Sequence, residues 1–449
     1  APREPDWELA QRETVEHLQA MLRLNTVNPP GNEIVVAQYL VRFLEREGIE
    51  TRLFEPAPGR AAVVARLRGT GALRPVLLMA HMDVVGVEQD RWSVDPFGGV
   101  VKDGYVYGRG AIDDKGMLAA NLETMLLLKR HVVDAGAPLT RDVVFVANSD
   151  EEAGGDWGMG WLVRNHPELL EAEFAVNEGG RTRVVGGKPL YLAIQNTEKV
   201  AHVVELSVKG SGGHASVPLR DNPLYRLGRA LAAIGNHQEP LDVQPTVREF
   251  FAELSRVWPD AEQRKAMADI VSTDAARQER GAEVLARVPV FDALLRNGIS
   301  ATIVSGGIRS NVIPSEAAAT LNVRTLPGVS LDVVIARLAR AIDDPQVELR
   351  IVDRSEDAPA SDFHSEMFRA IVEASRATNP ELAVVPYMST GATDSARLRQ
   401  LGIQAFGILP FPMDQDDEDR MHGNDERIPL ASLAFGTRVI YRAMVRVTR

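Results

Sequence analysis

Cysteine is absent from the 449-residue chain. That excludes disulfide bridges, thiolate metal sites and a cysteine nucleophile together. Any metal would have to be held by histidine, aspartate and glutamate, a donor set that suits zinc, manganese or cobalt. The same absence leaves the redox compartment open, because a cysteine-free chain survives in either state. Long apolar runs are also missing: none approaches the roughly 18–20 residues that a membrane helix needs. There is no long basic run and the net charge is −12, so neither nucleic acid nor an anionic membrane is expected as a partner. A small anionic substrate stays possible, since a bound metal outweighs the global field locally. No internal repeat or low-complexity tract stands out. The chain opens Ala1-Pro2-Arg3 rather than on methionine, which reads as removal of a signal peptide or a tag. The expected state is soluble, cytoplasmic or exported.

What is present is ordinary for a globular protein of two domains: 45% hydrophobic and 25% charged residues, with 36 Gly and 26 Pro. Apolar spacing predicts helices over residues 6–24 and 33–47, then strands over 51–54, 61–67 and 75–80. The last of these is apolar at nearly every position, as expected for a strand covered on both faces. A helix over 116–130 and strands over 143–147 and 174–176 follow. Strands alternating with helices imply an α/β layer architecture. Near Val200 the character changes. A strand (202–208), a helix (222–234), two strands (301–304, 317–324), a helix (331–342) and a strand (347–352) give the order β-α-β-β-α-β of a ferredoxin-like module. Residues 247–297, rich in Ala, Arg and Glu, read as a helical insertion in it. From His364 the α/β pattern resumes, with strands over 383–387 and 404–409 and a helix over 430–445. The expected organisation is one α/β domain, residues 1–198 and 355–449, interrupted by a second domain of residues 199–354.

In open α/β sheets, ligands bind beyond the carboxyl ends of the strands. Three apolar strands here end in metal-ligating residue types: His81 and then Asp83; Ser149-Asp150-Glu151-Glu152; and Asn177-Glu178-Gly179-Gly180. A glycine-rich turn, Gly108-Arg109-Gly110-Ala111-Ile112-Asp113-Asp114, adds two adjacent carboxylates. Any one of these alone would be an unremarkable polar loop. Four together suggest a metal site. Other histidines (His17, His131, His166, His237, His364) sit in helical or polar settings and read as surface or structural.

These segments resemble the M20 family of dizinc metallopeptidases and amidohydrolases. The resemblance extends to Gly213-His214-Ala215-Ser216, Asn311-Val312-Ile313-Pro314, Arg324, Gly391-Ala392-Thr393-Asp394 and Met421-His422-Gly423, and so to nearly the whole chain. Within the family, the chain looks most similar to the carboxypeptidase S and N-fatty-acyl-amino-acid hydrolase branch. The resemblance implies a zinc-peptidase-like α/β/α catalytic domain, interrupted by a lid domain through which two copies dimerise. It implies two zinc ions per chain (cobalt or manganese are alternatives), with Asp113 bridging, His81 and Glu178 completing one site, and Glu152 and His422 the other. Asp83 would orient the His81 imidazole, the Asp113–Asp114 peptide would be cis, and Glu151 would be the general base. His214 from the lid would donate to the oxyanion in the neighbouring subunit's site. Arg324, assisted by Asn311, would hold a substrate carboxylate.

The chemistry of the residues agrees. Two divalent ions against Asp113, Glu152 and Glu178 leave a charge of about +1, enough to hold a hydroxide near neutral pH. If residues 150–152 are extended, Glu151 and Glu152 point to opposite sides, so one can bind metal while the other moves a proton. The expected activity is hydrolysis of an amide bond beside a free carboxylate, by attack of a metal-bound hydroxide, in an N-acyl amino acid or a short peptide. The rivals are a di- or aminopeptidase with the same metal chemistry, and a metal-binding module without catalysis. Two departures from the family pattern are Ala111-Ile112 in place of a Ser or Thr, and the 247–297 insertion, which bears on the dimer and hence on His214.

Overall fold

The computed structural model describes residues 3–449, and these divide into two compact units. One comprises the chain up to Asn196 with Ala360–Tyr387 and Thr393–Arg449; the other is Thr197–Pro359 with Met388–Ala392.

The first unit is built on a ten-stranded mixed sheet, counted among the described residues. At its centre four strands run parallel: Val143–Asn148, Val76–His81, Phe174–Asn177 and Gln404–Gly407. Their side chains alternate between two cores. Val76, Leu78 and Ala80, with Val143, Phe145 and Ala147, pack into one apolar cluster. Leu77 and Met79, with Val144 and Val146, pack into another on the opposite face. Period-2 geometry makes a strand that is apolar throughout serve both layers at once. Helices Trp7–Leu22, Lys115–Leu128, Glu366–Thr378 and Leu430–Val447 contribute to the first cluster; Met159–Asn165 and Ser395–Gln400 contribute to the second. Lys115–Leu128 is buried along its whole length, so periodicity on one face could not define it. The unit is therefore layered α/β/α, as expected.

Three strands of this sheet were not expected from sequence: the edge strand Pro412–Met413 and the two beside it. Arg181–Val185 and Lys188–Glu198 form a hairpin joined to the sheet beside Gln404–Gly407. Lys188–Glu198 ends in the buried polar run Gln195-Asn196-Thr197-Glu198, which carries no apolar alternation to read. A separate three-stranded sheet pairs Val100–Lys102 with Tyr105–Tyr107 and Tyr105–Tyr107 with Arg427–Pro429.

The second unit contains a four-stranded antiparallel sheet in the order Gly298–Gly306, Glu316–Thr325, Val200–Lys209, Val347–Arg354. Helices Pro223–Asn236 and Leu331–Ile342 cover one face around Val204, Leu206, Leu227, Leu321 and Leu338. Four helices, Pro245–Leu254, Ala261–Ile270, Ala275–Leu285 and Pro289–Leu295, lie in the chain between the first helix and strand Gly298–Gly306.

Candidate metal centre

Parallel strands present their carboxyl ends along one edge, and here those ends carry the site. His81 is the last residue of its strand, one beyond the expected end, in register with Asn148 of the neighbour. Glu178 follows Phe174–Asn177 directly. The chain then turns through Gly179 and Gly180, both at positive φ (123° and 64°). A Cβ on Gly180 would lie 2.1 Å from the Ala193 carbonyl oxygen, so only glycine allows this turn beside Glu178.

Within the first unit, the residues expected at the metal centre come together. His81 Nε2 lies 2.9 Å from Asp113 Oδ1 and 3.6 Å from Glu178 Oε1. His422 Nε2 lies 2.9 Å from Asp113 Oδ2 and 3.1 Å from Glu152 Oε1. The two oxygens of Asp113 thus face two different imidazoles. Donor atoms of His81, Glu151 and Glu178 form one group, and those of His81, Asp113 and Glu152 another, each with all atoms within 4.8 Å of one another. The Asp113–Asp114 peptide is cis.

These separations suit a metal. Ligand atoms placed tetrahedrally at zinc distances stand about 3.3 Å apart, close to what is seen. The donor set is nitrogen and carboxylate oxygen, and among the described residues no lysine or arginine pairs with Asp113, Glu151, Glu152 or Glu178. The electrostatics agree. Burial lifts the Glu178 carboxyl well above its usual range, and Asp113 and Glu151 add to the effect. His422 is pushed up to about 10 by its hydrogen bonds to Asp113 and Glu152. A cluster of carboxylates that holds protons on itself and its imidazoles is one that cations would occupy instead.

His81 donates Nδ1–H to the main-chain carbonyl of Asp83 at 2.9 Å. A carbonyl only accepts, so Nδ1 carries the proton and Nε2 is free to ligate. The Asp83 carboxylate is farther from the ring, with Oδ1 at 3.4 Å. It also receives the main-chain N–H groups of Glu151 (3.1 Å) and Glu152 (3.2 Å) and the amide of Asn28 (2.9 Å). Asp83 therefore holds the 151–152 loop as well as the imidazole. That loop is not extended. Asp150 sits at φ 67° and Glu151–Ala153 forms a single 3₁₀ turn. Side chains one residue apart on such a turn diverge by about 120°, so Glu151 and Glu152 still point apart, for a different reason from the one expected. Asp114 is fully buried and its Oδ2 accepts the main-chain N–H of His81 at 3.2 Å.

Several supporting residues were given no role in the sequence reading. Asn28 bridges Asp83 and Asp150, and Arg60 ion-pairs with Asp150 at 2.8 Å. Asn148 donates to Asp394 at 2.7 Å; burial first, and the charge of Asp83 among others, raises the Asp394 carboxyl to about 6. Arg109 pairs with Glu426 at 2.6 Å. The available signal for that pair was a charged residue between two glycines and a glutamate four residues after His422.

His214, Asn311 and Arg324 belong to the second unit. His214 pairs with Val312, and Ala215 donates to the Asn311 carbonyl at 3.0 Å. Both residues line a cleft of about 1190 Å³ near the Glu316 end of strand Glu316–Thr325. Arg324 lies at the other end of that strand, roughly 25 Å of extended chain away. Its Nε donates to Asn322 at 3.0 Å, while Nη1 is buried without a hydrogen-bond partner among the described residues.

The sequence profile of peptidase family M20/M25/M40 matches residues 77–446. The chain is 31% identical over 380 residues to a probable carboxypeptidase S-like 2 of Dictyostelium discoideum, covering 80% of this chain and 69% of that protein. It is 26% identical over 381 residues to the N-fatty-acyl-amino acid synthase/hydrolase PM20D1 of Homo sapiens, covering 82% and 73%. In structure it is similar to an M20 family metallo-carboxypeptidase, Sso-CP2, from Sulfolobus solfataricus, with a TM-score of 0.71 at 19% identity over 97% and 99% of the two chains. The chain belongs to peptidase family M20/M25/M40 and is a hydrolase of the metallopeptidase class. The family is metal-dependent, and the first unit supplies a candidate metal-binding cluster. No helix among the described residues is long and apolar enough to cross a membrane.

Proposed function

We propose that this protein is a dinuclear metal hydrolase, with two zinc ions per chain as the first candidates. It would cleave an amide bond next to a free carboxylate, in an N-acyl amino acid or at the C-terminal residue of a short peptide. The observation that carries the reading is Asp113, whose two oxygens each face a separate histidine at 2.9 Å. In this reading Asp113 would be shared by the two ions, His81 and Glu178 would help hold one, and Glu152 and His422 the other. When bound, such a pair supplies Lewis acidity at the amide carbonyl and lowers the pKa of water toward about 7.

The protein's own residues supply the remaining steps. Glu151 takes the proton from water and returns it to the leaving nitrogen. Its carboxyl lies well above the usual range, through burial first and the charges of Asp394, Asp113 and Glu152, against an opposing effect of His81. Cations bound at Asp113 and Glu152 would offset those charges and lower it again, so the assignment rests on the place of Glu151 beside His81 and Glu178. Asp83 fixes the Glu151 main chain and the His81 ring. His214 donates to the oxyanion. Arg324, with an idle buried N–H and a planar fork, holds the substrate carboxylate. His214 and Arg324 stand too far apart within one second unit to reach the same small substrate. The pairing therefore favours a homodimer through that unit, in which each site takes its histidine from the partner chain. Asn311 sits beside His214, so it would serve the oxyanion end, not the carboxylate end assigned to it from sequence. The names of the two relatives, one carboxypeptidase-like and one acting on N-fatty-acyl amino acids, favour this substrate class.

The test is a hydrolysis screen after chelator treatment, with zinc, manganese or cobalt restored. The substrates are N-acyl amino acids, dipeptides, and the same compounds with the carboxylate amidated. Metal-dependent cleavage lost on amidation is expected. Cleavage that ignores the carboxylate but requires a free amine would transfer the assignment to an aminopeptidase. Fewer than two ions per chain with no hydrolysis would leave a binding module.

A further inference from the structure

Asp113 and His422 are 309 residues apart in the chain, and one buried ion pair spans the two loops that carry them. Glu426 is fully buried and accepts four hydrogen bonds. Its Oε1 takes the main-chain N–H of Ile112 (2.8 Å) and Asp113 (3.1 Å); its Oε2 takes the N–H of Gly110 (3.1 Å) and Arg109 Nη1 (2.6 Å). Arg109, also buried, donates through Nη2 to the main-chain carbonyl of Gly423 at 2.8 Å and approaches that of His422 at 3.4 Å. Its guanidinium lies 5.3 Å from the centre of the Trp92 ring. The adjoining small sheet sets Ile428 against Val106, so the two loops leave it side by side.

A buried ion pair is not in itself a strong source of stability, because desolvation offsets most of the attraction. What distinguishes this one is where its hydrogen bonds go. The carboxylate grips the main chain of the Asp113 loop, including Asp113 itself. The guanidinium grips the main chain around His422, a residue held at φ 61°. We infer that Arg109 and Glu426 are positioning residues, a latch that sets the separation of Asp113 from His422 and so the geometry of the metal pair. The inference rests on the ligand reading proposed above.

The pair can be tested in metal-free protein titrated with Zn²⁺ against a chromophoric chelator. In Glu426→Gln the amide keeps one acceptor oxygen but turns an NH₂ toward two donors, so one half of the grip is lost. Affinity for both ions should fall roughly 10- to 100-fold, the usual effect of removing a ligand's supporting contact. In Arg109→Lys an ammonium can still meet Glu426 but lacks the fork that also reaches Gly423. Weakening should then centre on the ion proposed at Glu152 and His422, leaving one tight and one weak equivalent. Circular dichroism and melting of the metal-free variants report folding separately. Folded variants that bind two ions with wild-type affinity would overturn the inference. So would failure of both to fold, which assigns the pair to the fold and not to the site. Should only Glu426→Gln misfold, the stepwise loss in Arg109→Lys decides. Asp113→Asn is the parallel control: if it binds two ions like the wild type, the ligand reading fails instead.

Discussion

Replacing Glu151 by glutamine separates a proton carrier from a metal ligand. The side chain keeps its shape, and the main-chain N–H of residue 151 can still donate to Asp83, now at 3.1 Å, so the 3₁₀ turn should persist. Lost is the carboxyl that can accept a proton from water and pass it to the leaving nitrogen. General acid–base catalysis of this kind contributes about 10²- to 10⁴-fold, or about 3–5 kcal/mol on the barrier. Steady-state kinetics on an N-acyl amino acid should show kcat lower by that factor with KM little changed, and metal analysis should still find two equivalents. The competing assignment is specific, because donor atoms of Glu151, His81 and Glu178 lie within 4.8 Å of one another. If Glu151 were a ligand, the amide would weaken the metal and activity would return with excess ion. Turnover within about tenfold of wild type, or loss of an ion, would refute the reasoning.

Arg324→Ala should raise KM for substrates with a free carboxylate and lower kcat/KM roughly 10- to 100-fold, the cost of about 1.5–3 kcal/mol for a charged hydrogen-bonding partner. Amidated analogues should be hydrolysed equally by both proteins; an equal loss on both classes would exclude carboxylate recognition. His17 is buried, donating or accepting with the Tyr39 hydroxyl at 2.8 Å, and its pKa is lowered from 6.5 to about 4, by burial first and then Arg130. A lowered folded-state pKa means the unfolded chain binds the proton first, so the stability present above about pH 6.5 is lost as pH falls toward 4. Urea unfolding should show about 2–3 kcal/mol of acid loss by about pH 4.5 from this group, absent in a folded His17→Gln variant; identical acid slopes would exclude it. Leu78→Ala removes a fully buried side chain between sheet and helices. It should cost about 2–5 kcal/mol in the same assay, and a change under about 1 kcal/mol would contradict the packing described.

The α/β layering was legible in sequence because fully buried parallel strands are apolar on both faces. Leu77, Leu78 and Met79 leave no other reading of strand length, and the alternation of Val143–Asn148 between two cores is the same fact in space. Parallel pairing then sends all the carboxyl ends to one edge, so His81, Glu151, Glu152 and Glu178 could be named from where their strands stop. The glycine-rich turn marked Asp113 as a candidate, but its bridging role and the whole of His422 needed family resemblance, since no local pattern says that residues so far apart meet. The hairpin Arg181–Val185 and Lys188–Glu198 escaped notice because its buried end is polar, and burial of polar strands depends on partners elsewhere in the chain. Residues 150–152 read as extended because a left-handed Asp150 leaves no mark in composition. The sequence by itself determined the layers and the donor types, because both follow from local apolar spacing and from which side chains can bind a metal. Only the tertiary structure decided how the donors are held: Asp83 on the Glu151 main chain, Glu426 on the Asp113 loop and Arg109 on the carbonyl of Gly423. Those contacts are hydrogen bonds to main-chain atoms, which every residue carries alike, so no sequence can announce them.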